Sequence, residues 1–281
     1  MEYYNGKEFP TRKAMFDFMV KNKETLIAQK KAVDKKADAF IYQPIIVREK
    51  PLTQAKADNI IDPINVDSLK VVVVINTTNF LDRHGDVHIP GIWNKSLVEN
   101  KAIMHLQEHE MEFDKIISDG DMLKVYTKTY SWAELGYPYD GFTEGLTFES
   151  TIERKRNEFM MNQYANGWVR NHSVGMRYVK IDFAINDEDC PNEFEAWNKY
   201  YPQIANKEVA DERGYFWYVL EAKVIEGSAV PIGSNSATPT ISVEQGKSEP
   251  EQSTRHDNEP ELSTHKEESI IEFVTKNFKI Q

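Results

Sequence analysis

Asn171-His172-Ser173-Val174-Gly175-Met176-Arg177-Tyr178-Val179-Lys180-Ile181-Asp182-Phe183 is the stretch on which the reading of this chain turns. Its second half alternates. Met176, Tyr178, Lys180 and Asp182 fall on one face, and Arg177, Val179, Ile181 and Phe183 on the other. Period two with aromatic and β-branched residues predicts a strand. Ser173 and Gly175 stand at its start, small enough to let a ligand or another backbone approach closely. On its own a serine there is a turn-capping hydroxyl, and it gains chemical meaning only if a base can reach it.

Further strands surround this one. Leu69 to Ile75 is a continuous β-branched run, the pattern of a buried strand. Met122 to Tyr130 alternates, after an expected hairpin turn at Asp119-Gly120-Asp121. Leu146 to Ser150 is short, and Gly214 to Pro231 is long. Helices are predicted from a Thr11 cap through Val33, at Trp93 to Val98, and at Arg156 to Asn166 with Gly167 as its stop. Two more fall at Asn192 to Tyr200 and Ile204 to Glu212. Strands dominate residues 69–240 without regular βαβ alternation, so the fold class is α+β, mainly β. The expected core is a closed or nearly closed β-barrel with peripheral helices. Residues 1–68 form an N-terminal helix and extended connector. Residues 241–281 are a low-complexity tail, predicted disordered to about Glu268, ending in a short amphipathic helix through Ile270, Ile271, Val274 and Phe278.

Composition narrows the function. The chain has 281 residues and a net charge of -11, which disfavours nucleic acid as a partner because phosphate binding needs clustered Lys and Arg. The lysines Lys30, Lys31, Lys35 and Lys36 read as a solvated helix face. A single cysteine, Cys190, allows no internal disulfide and no cysteine-rich zinc site. No apolar run is long enough to span a bilayer, and Met1-Glu2-Tyr3-Tyr4 does not open a signal peptide, so a cytoplasmic location is expected.

Two constellations carry possible chemistry. His105-Leu106-Gln107-Glu108-His109 matches the His-x-x-Glu-His pattern of inverted zinc metallopeptidases. That chemistry needs a helix placing the two imidazoles one turn apart on Zn²⁺, with Glu108 as base. The alternative combines Ser173, one of His105 or His109, and Glu226 from three segments. A hydroxyl becomes a nucleophile when a neutral imidazole takes its proton, and a carboxylate on the imidazole's other nitrogen fixes the tautomer. Glu226 lies in an apolar, strand-forming segment, where an unpaired carboxylate would be costly to bury. Asp82, His84 and Asp86 are metal ligands by type but fit a hydrogen-bonded loop better.

Four local patterns, in order, resemble the prohead (capsid maturation) protease family of tailed bacteriophages. They are Asp82-Arg83-His84-Gly85-Asp86-Val87-His88-Ile89-Pro90-Gly91, Leu106-Gln107-Glu108-His109, His172-Ser173-Val174-Gly175-Met176, and Ile225-Glu226-Gly227-Ser228-Ala229-Val230-Pro231 with Asn235 and Ala237. They span about residues 69–240. The resemblance implies an assemblin-like β-barrel and a serine endopeptidase with Ser173 as nucleophile, His109 as base and Glu226 as third member. It needs no metal or cofactor. It implies the major capsid protein or a scaffold protein as substrate, with self-cleavage and self-association, inside the immature prohead in the host cytoplasm. It implies neither a nucleic-acid nor a membrane partner. The chain departs from the family in the insertion at 187–213 and in Phe113-Asp114-Lys115, where the family has Pro-x-Gly. A non-catalytic capsid or scaffold component on the same fold is the alternative.

Overall fold

The computed structural model describes residues 1–34, 61–62 and 66–246. The connector at 45–47, the acidic part of the tail and the helix expected at 270–278 lie outside the described residues. Met1–Lys247 is one compact unit. It opens with a hairpin of β1 (Glu2–Tyr4) and β2 (Lys7–Phe9), turned by Asn5 and Gly6 at φ 47° and 75°. Asn-Gly takes this left-handed pair readily, which is the sequence signal for the hairpin.

The helix expected to run from Thr11 through Val33 is two helices. The Thr11 hydroxyl accepts the Ala14 N–H and caps α1 (Arg12–Lys21), and Asn22 separates it from α2 (Lys23–Ala32). Lys30, expected on a solvated face, is half-buried. Its ammonium pairs with the buried Asp86 carboxylate and lies 5.0 Å from the Trp217 ring centroid. Burial of Asp86 on a strand requires a countercharge, and α2 supplies it.

Two sheets pack against each other. One runs β11 (Thr240–Gln245), β3 (Ser68–Thr77), β8 (Phe142–Glu153), β7 (Leu123–Ser131), all antiparallel. Ile241 to Gln245, assigned by composition to the tail, therefore belong to an edge strand of the core. The other sheet is built on β10 (Tyr215–Val230). β9 (Asn171–Ile185) pairs along one side of it, antiparallel. β4 (Asp86–His88) and β5 (His105–Gln107) pair along its other side, both parallel, and β6 (Ile116–Ser118) extends β5. Among the described residues the strands form these two open sheets and the separate β1–β2 hairpin, and not one hydrogen-bonded ring. The expected hairpin at Asp119–Asp121 is instead a crossing between sheets, because β6 pairs with β5 while β7 pairs with β8.

Val71, Val73 and Ile75 of β3 and Phe148 of β8 meet Val174, Met176, Val224 and Ala229 in the shared core. Burying this apolar surface stabilises the packing by about 25 cal/mol per Å². α3 (Asn94–Glu99) covers the gap on β10 between β4 and β5. α4 (Arg154–Ala165) packs on β6 and β8, and α5 (Pro191–Tyr200) with α6 (Lys207–Arg213) forms the 187–213 insertion. The alternation expected along β9 breaks at 179–180. Met176 and Tyr178 face inward, then Ile181 and Phe183, because the β9–β10 register shifts around Lys180 and Glu221. A one-residue shift exchanges the two faces of a strand.

Candidate active site

The same device places the carboxylate. Val224 of β10 lies opposite Met176, but Glu226 lies opposite Gly175, so Ile225 is an extra residue. Val224 is in the core. Without the bulge Glu226 would follow it inward; with the bulge it turns to the outer face. Gly227 then faces the core, where a Cβ would collide with Phe148 and Ile75. α3 holds the distorted backbone. The Val224 N–H donates to Ser96 Oγ over 2.8 Å, and Asn100 Nδ2 donates to the Val224 carbonyl over 2.8 Å.

On that outer face Ser173 lies opposite Ser228, and Gly175 opposite Glu226. Residues directly opposite on paired strands share a face, so Ser173, Ser228 and Glu226 are on one surface. The space at Gly175 is filled by the Glu226 carboxylate, which a Cβ at that position would overlap. The chain leaves β5 through Glu108 and His109, both left-handed at φ 53° and 62°. Two consecutive non-glycine residues in that region are uncommon, and such strain concentrates at functional sites. The turn brings the His109 ring over the outer face, where Nδ1–H donates to Glu226 Oε1 over 2.5 Å. A carboxylate only accepts, so Nδ1 carries a proton, and in the neutral ring the lone pair is then on Nε2. Ser228 Oγ donates to Glu226 Oε2 over 2.6 Å and accepts the His109 backbone N–H over 3.1 Å. His109 is 3% and Glu226 1% exposed, so this hydrogen bonding takes place away from bulk water.

The three residues singled out in the sequence thus meet unequally. His109 and Glu226 are directly bonded. Ser173 shares their face, yet no hydrogen bond joins its hydroxyl to His109. Ser173 is itself buried, at 5% exposed. A cleft of about 520 Å³ borders Glu226 and is lined also by Ser96, Asn100, Met104, Met111 and Lys223.

The remaining histidines have other roles. His105 and His172 point inward, as expected for residues that alternate with the outer-facing set. His105 Nδ1 bonds Ser150 Oγ over 2.8 Å, and the Tyr164 hydroxyl lies 3.2 Å from His105 Nε2 and 3.0 Å from His172 Nε2. His172 Nδ1 donates to the Thr238 carbonyl over 2.9 Å. Burial pushes the His172 imidazole down to about 4, and burial beside His172 holds His105 well below its ordinary range. Both are neutral core groups. The zinc reading of His105-Glu108-His109 is corrected by this geometry. Residues 105–107 are strand, Glu108 sits in a turn, and the two imidazoles lie on opposite faces of the sheet.

Asp82, His84 and Asp86 do bring one donor atom each within 4.8 Å of one another. However, Asp86 engages Lys30 and the Tyr178 hydroxyl, and Asp82 Oδ1 accepts the His84 and Asp86 N–H groups. The set is a hydrogen-bonded loop tied to α2.

In the sequence Ser228 stands out only as part of the Glu226-Gly227-Ser228 pattern, and Ser96 and Asn100 do not stand out at all. A bulge is invisible to periodicity, so the residues that hold it carried no signal. Comparison with protein-family models, with curated proteins and with solved structures finds no match to this chain.

Proposed function

We propose that this chain is a serine endopeptidase of the prohead (capsid maturation) kind, with Ser173 as nucleophile, His109 as general base and Glu226 as the residue that orients it. The observation that carries the reading is the His109–Glu226 bond on the face that Ser173 shares. Nδ1–H is committed to the carboxylate, so in the neutral ring Nε2 is the nitrogen that takes the hydroxyl proton in the reaction. The order of the four sequence patterns supports the capsid-maturation assignment. We read the two packed sheets as a form of the assemblin-like barrel. The substrates on this reading are the major capsid protein or a scaffold protein, cut inside the immature prohead in the host cytoplasm, with copies of the chain associating there. The cleft beside Glu226 is where a substrate side chain enters. No helix of the described residues is long and apolar enough to cross a membrane.

A non-catalytic capsid component is the second reading. It is favoured by the missing Ser173–His109 bond, although such bonds often tighten only when substrate arrives. The deciding experiment incubates the chain with the capsid or scaffold protein of its phage and with a fluorophosphonate probe. Chelator-resistant cleavage, probe attachment at Ser173, and loss of both in Ser173→Ala support the enzyme. No cleavage and no labelling support the structural component.

A further inference from the structure

The geometry points to Ser228 as a positioning residue that locks the catalytic histidine and its carboxylate into one closed ring of hydrogen bonds. The inference rests on the serine-protease reading and adds a fourth residue to it. The ring runs from the His109 N–H to Ser228 Oγ, from Ser228 O–H to Glu226 Oε2, and from Glu226 Oε1 back to the His109 Nδ1–H. Each donor has one acceptor in the ring, and both carboxylate oxygens are used.

Each bond answers a separate requirement. His109 follows a strand through two left-handed residues, a conformation that needs an external hold. Its amide is tied to Ser228, a side chain on the rigid central strand. Glu226 is almost fully buried, and a carboxylate there requires donors on both oxygens. Ser228 supplies the second donor, which sets the rotation of the carboxylate so that Oε1 faces the imidazole. The spacing is built in. Glu226 and Ser228 are two residues apart on one face of β10, and Ser228 is fully buried opposite Ser173. Ser228 does not act as the nucleophile, since its hydroxyl proton is given to Glu226 and its oxygen receives an amide.

The test compares Ser228→Ala and Ser228→Thr with the native chain. Loss of a hydrogen bond to a charged group predicts kcat lower by roughly 10- to 100-fold in Ser228→Ala, with KM nearly unchanged. Fluorophosphonate labelling at Ser173 should slow by the same factor. The low-field NMR resonance of the His109 Nδ1 proton should move or broaden. Ser228→Thr, which keeps the hydroxyl, should restore both rate and resonance. Native-like kcat and an unmoved resonance in Ser228→Ala would overturn the proposal while leaving Ser173 as nucleophile. A native chain that neither cleaves nor labels overturns the protease reading and this role with it. If Ser228→Ala does not fold, hydrogen exchange in the native chain decides. The His109 amide should be strongly protected although it lies in a turn, and rapid exchange there rules the ring out.

Discussion

Gly175 and Glu226 occupy one space: the carboxylate of Glu226 fills the volume that a Cβ at position 175 would need. The Ser-x-Gly pattern of β9 is thereby explained by the neighbouring strand and not by a turn. Gly175 is paired opposite Glu226 in ordinary strand register. Gly175→Ala should therefore leave the backbone unstrained and displace the carboxylate from His109. Activity should fall toward the roughly 10⁴-fold scale of losing the orienting acid, with a modest loss of stability from overpacking, about 1–3 kcal/mol. Steady-state kinetics and thermal melts check this. Full activity in Gly175→Ala would mean that the carboxylate position is irrelevant to catalysis.

Glu226→Gln tests charge and orientation together. The amide offers one acceptor oxygen where the carboxylate offers two, so either the His109 Nδ1–H or the Ser228 hydroxyl loses its acceptor. An amide N–H turned toward the ring would favour the other tautomer and leave Nε2 protonated. The expected result is a large fall in kcat, smaller than that of His109→Ala. Labelling of Ser173 in both variants gives the comparison, and a Gln variant as active as the native chain removes Glu226 from the mechanism.

The sequence made some of this legible and hid the rest for physical reasons. Leu69–Ile75 and Tyr215–Val230 declare themselves as strands by β-branched and aromatic content alone. The pairing of β10 with β4 and β5 in parallel is not local, and no window of sequence carries it. Alternation sets His172 apart from Ser173, because neighbours on a strand face opposite ways, whereas His105 and His109 have the same parity and are separated only by the left-handed turn at Glu108 and His109. The turn of Glu226 to the outer face depends on one extra residue, Ile225, that alternation alone would have misplaced. Lys30 was misread because a lysine bound to a buried aspartate has the same sequence signature as a solvated one.

That lysine gives a stability prediction. Lys30 on α2 pairs with Asp86, which is fully buried and also accepts the Tyr178 hydroxyl over 2.7 Å. Asp82, beside Asp86, is pushed up to about 6 by burial and by that second carboxylate, while Lys30 pulls it down. Lys30→Met keeps the stem over Trp217 and deletes the charge. Removing one partner of a buried pair typically costs about 3–5 kcal/mol, and Lys30→Met should fall in or just below that range. Lys30→Met with Asp86→Asn should recover part of the loss. Urea denaturation of the two variants measures it, and a Lys30→Met midpoint equal to the native one would show that the pair adds nothing.

The buried imidazoles set the response to acid. His172 has a folded value of about 4 against an ordinary 6.5, and His105 is shifted the same way. Between those values the unfolded chain binds protons that the folded chain refuses, so stability rises with pH across the window. The contribution is complete above 6.5 and is lost as pH falls toward 4. For His172 alone it amounts to about 3 kcal/mol. Asp82 works in the opposite sense, because its raised value favours the folded state as the carboxyl protonates below 6. The two are separated by His172→Gln, which cannot take up a proton. The native chain should lose stability relative to this variant on acidification from 6.5 to 4, in thermal or urea midpoints taken at steps through the window. Parallel curves for the two proteins would show that His172 is not held neutral by the fold.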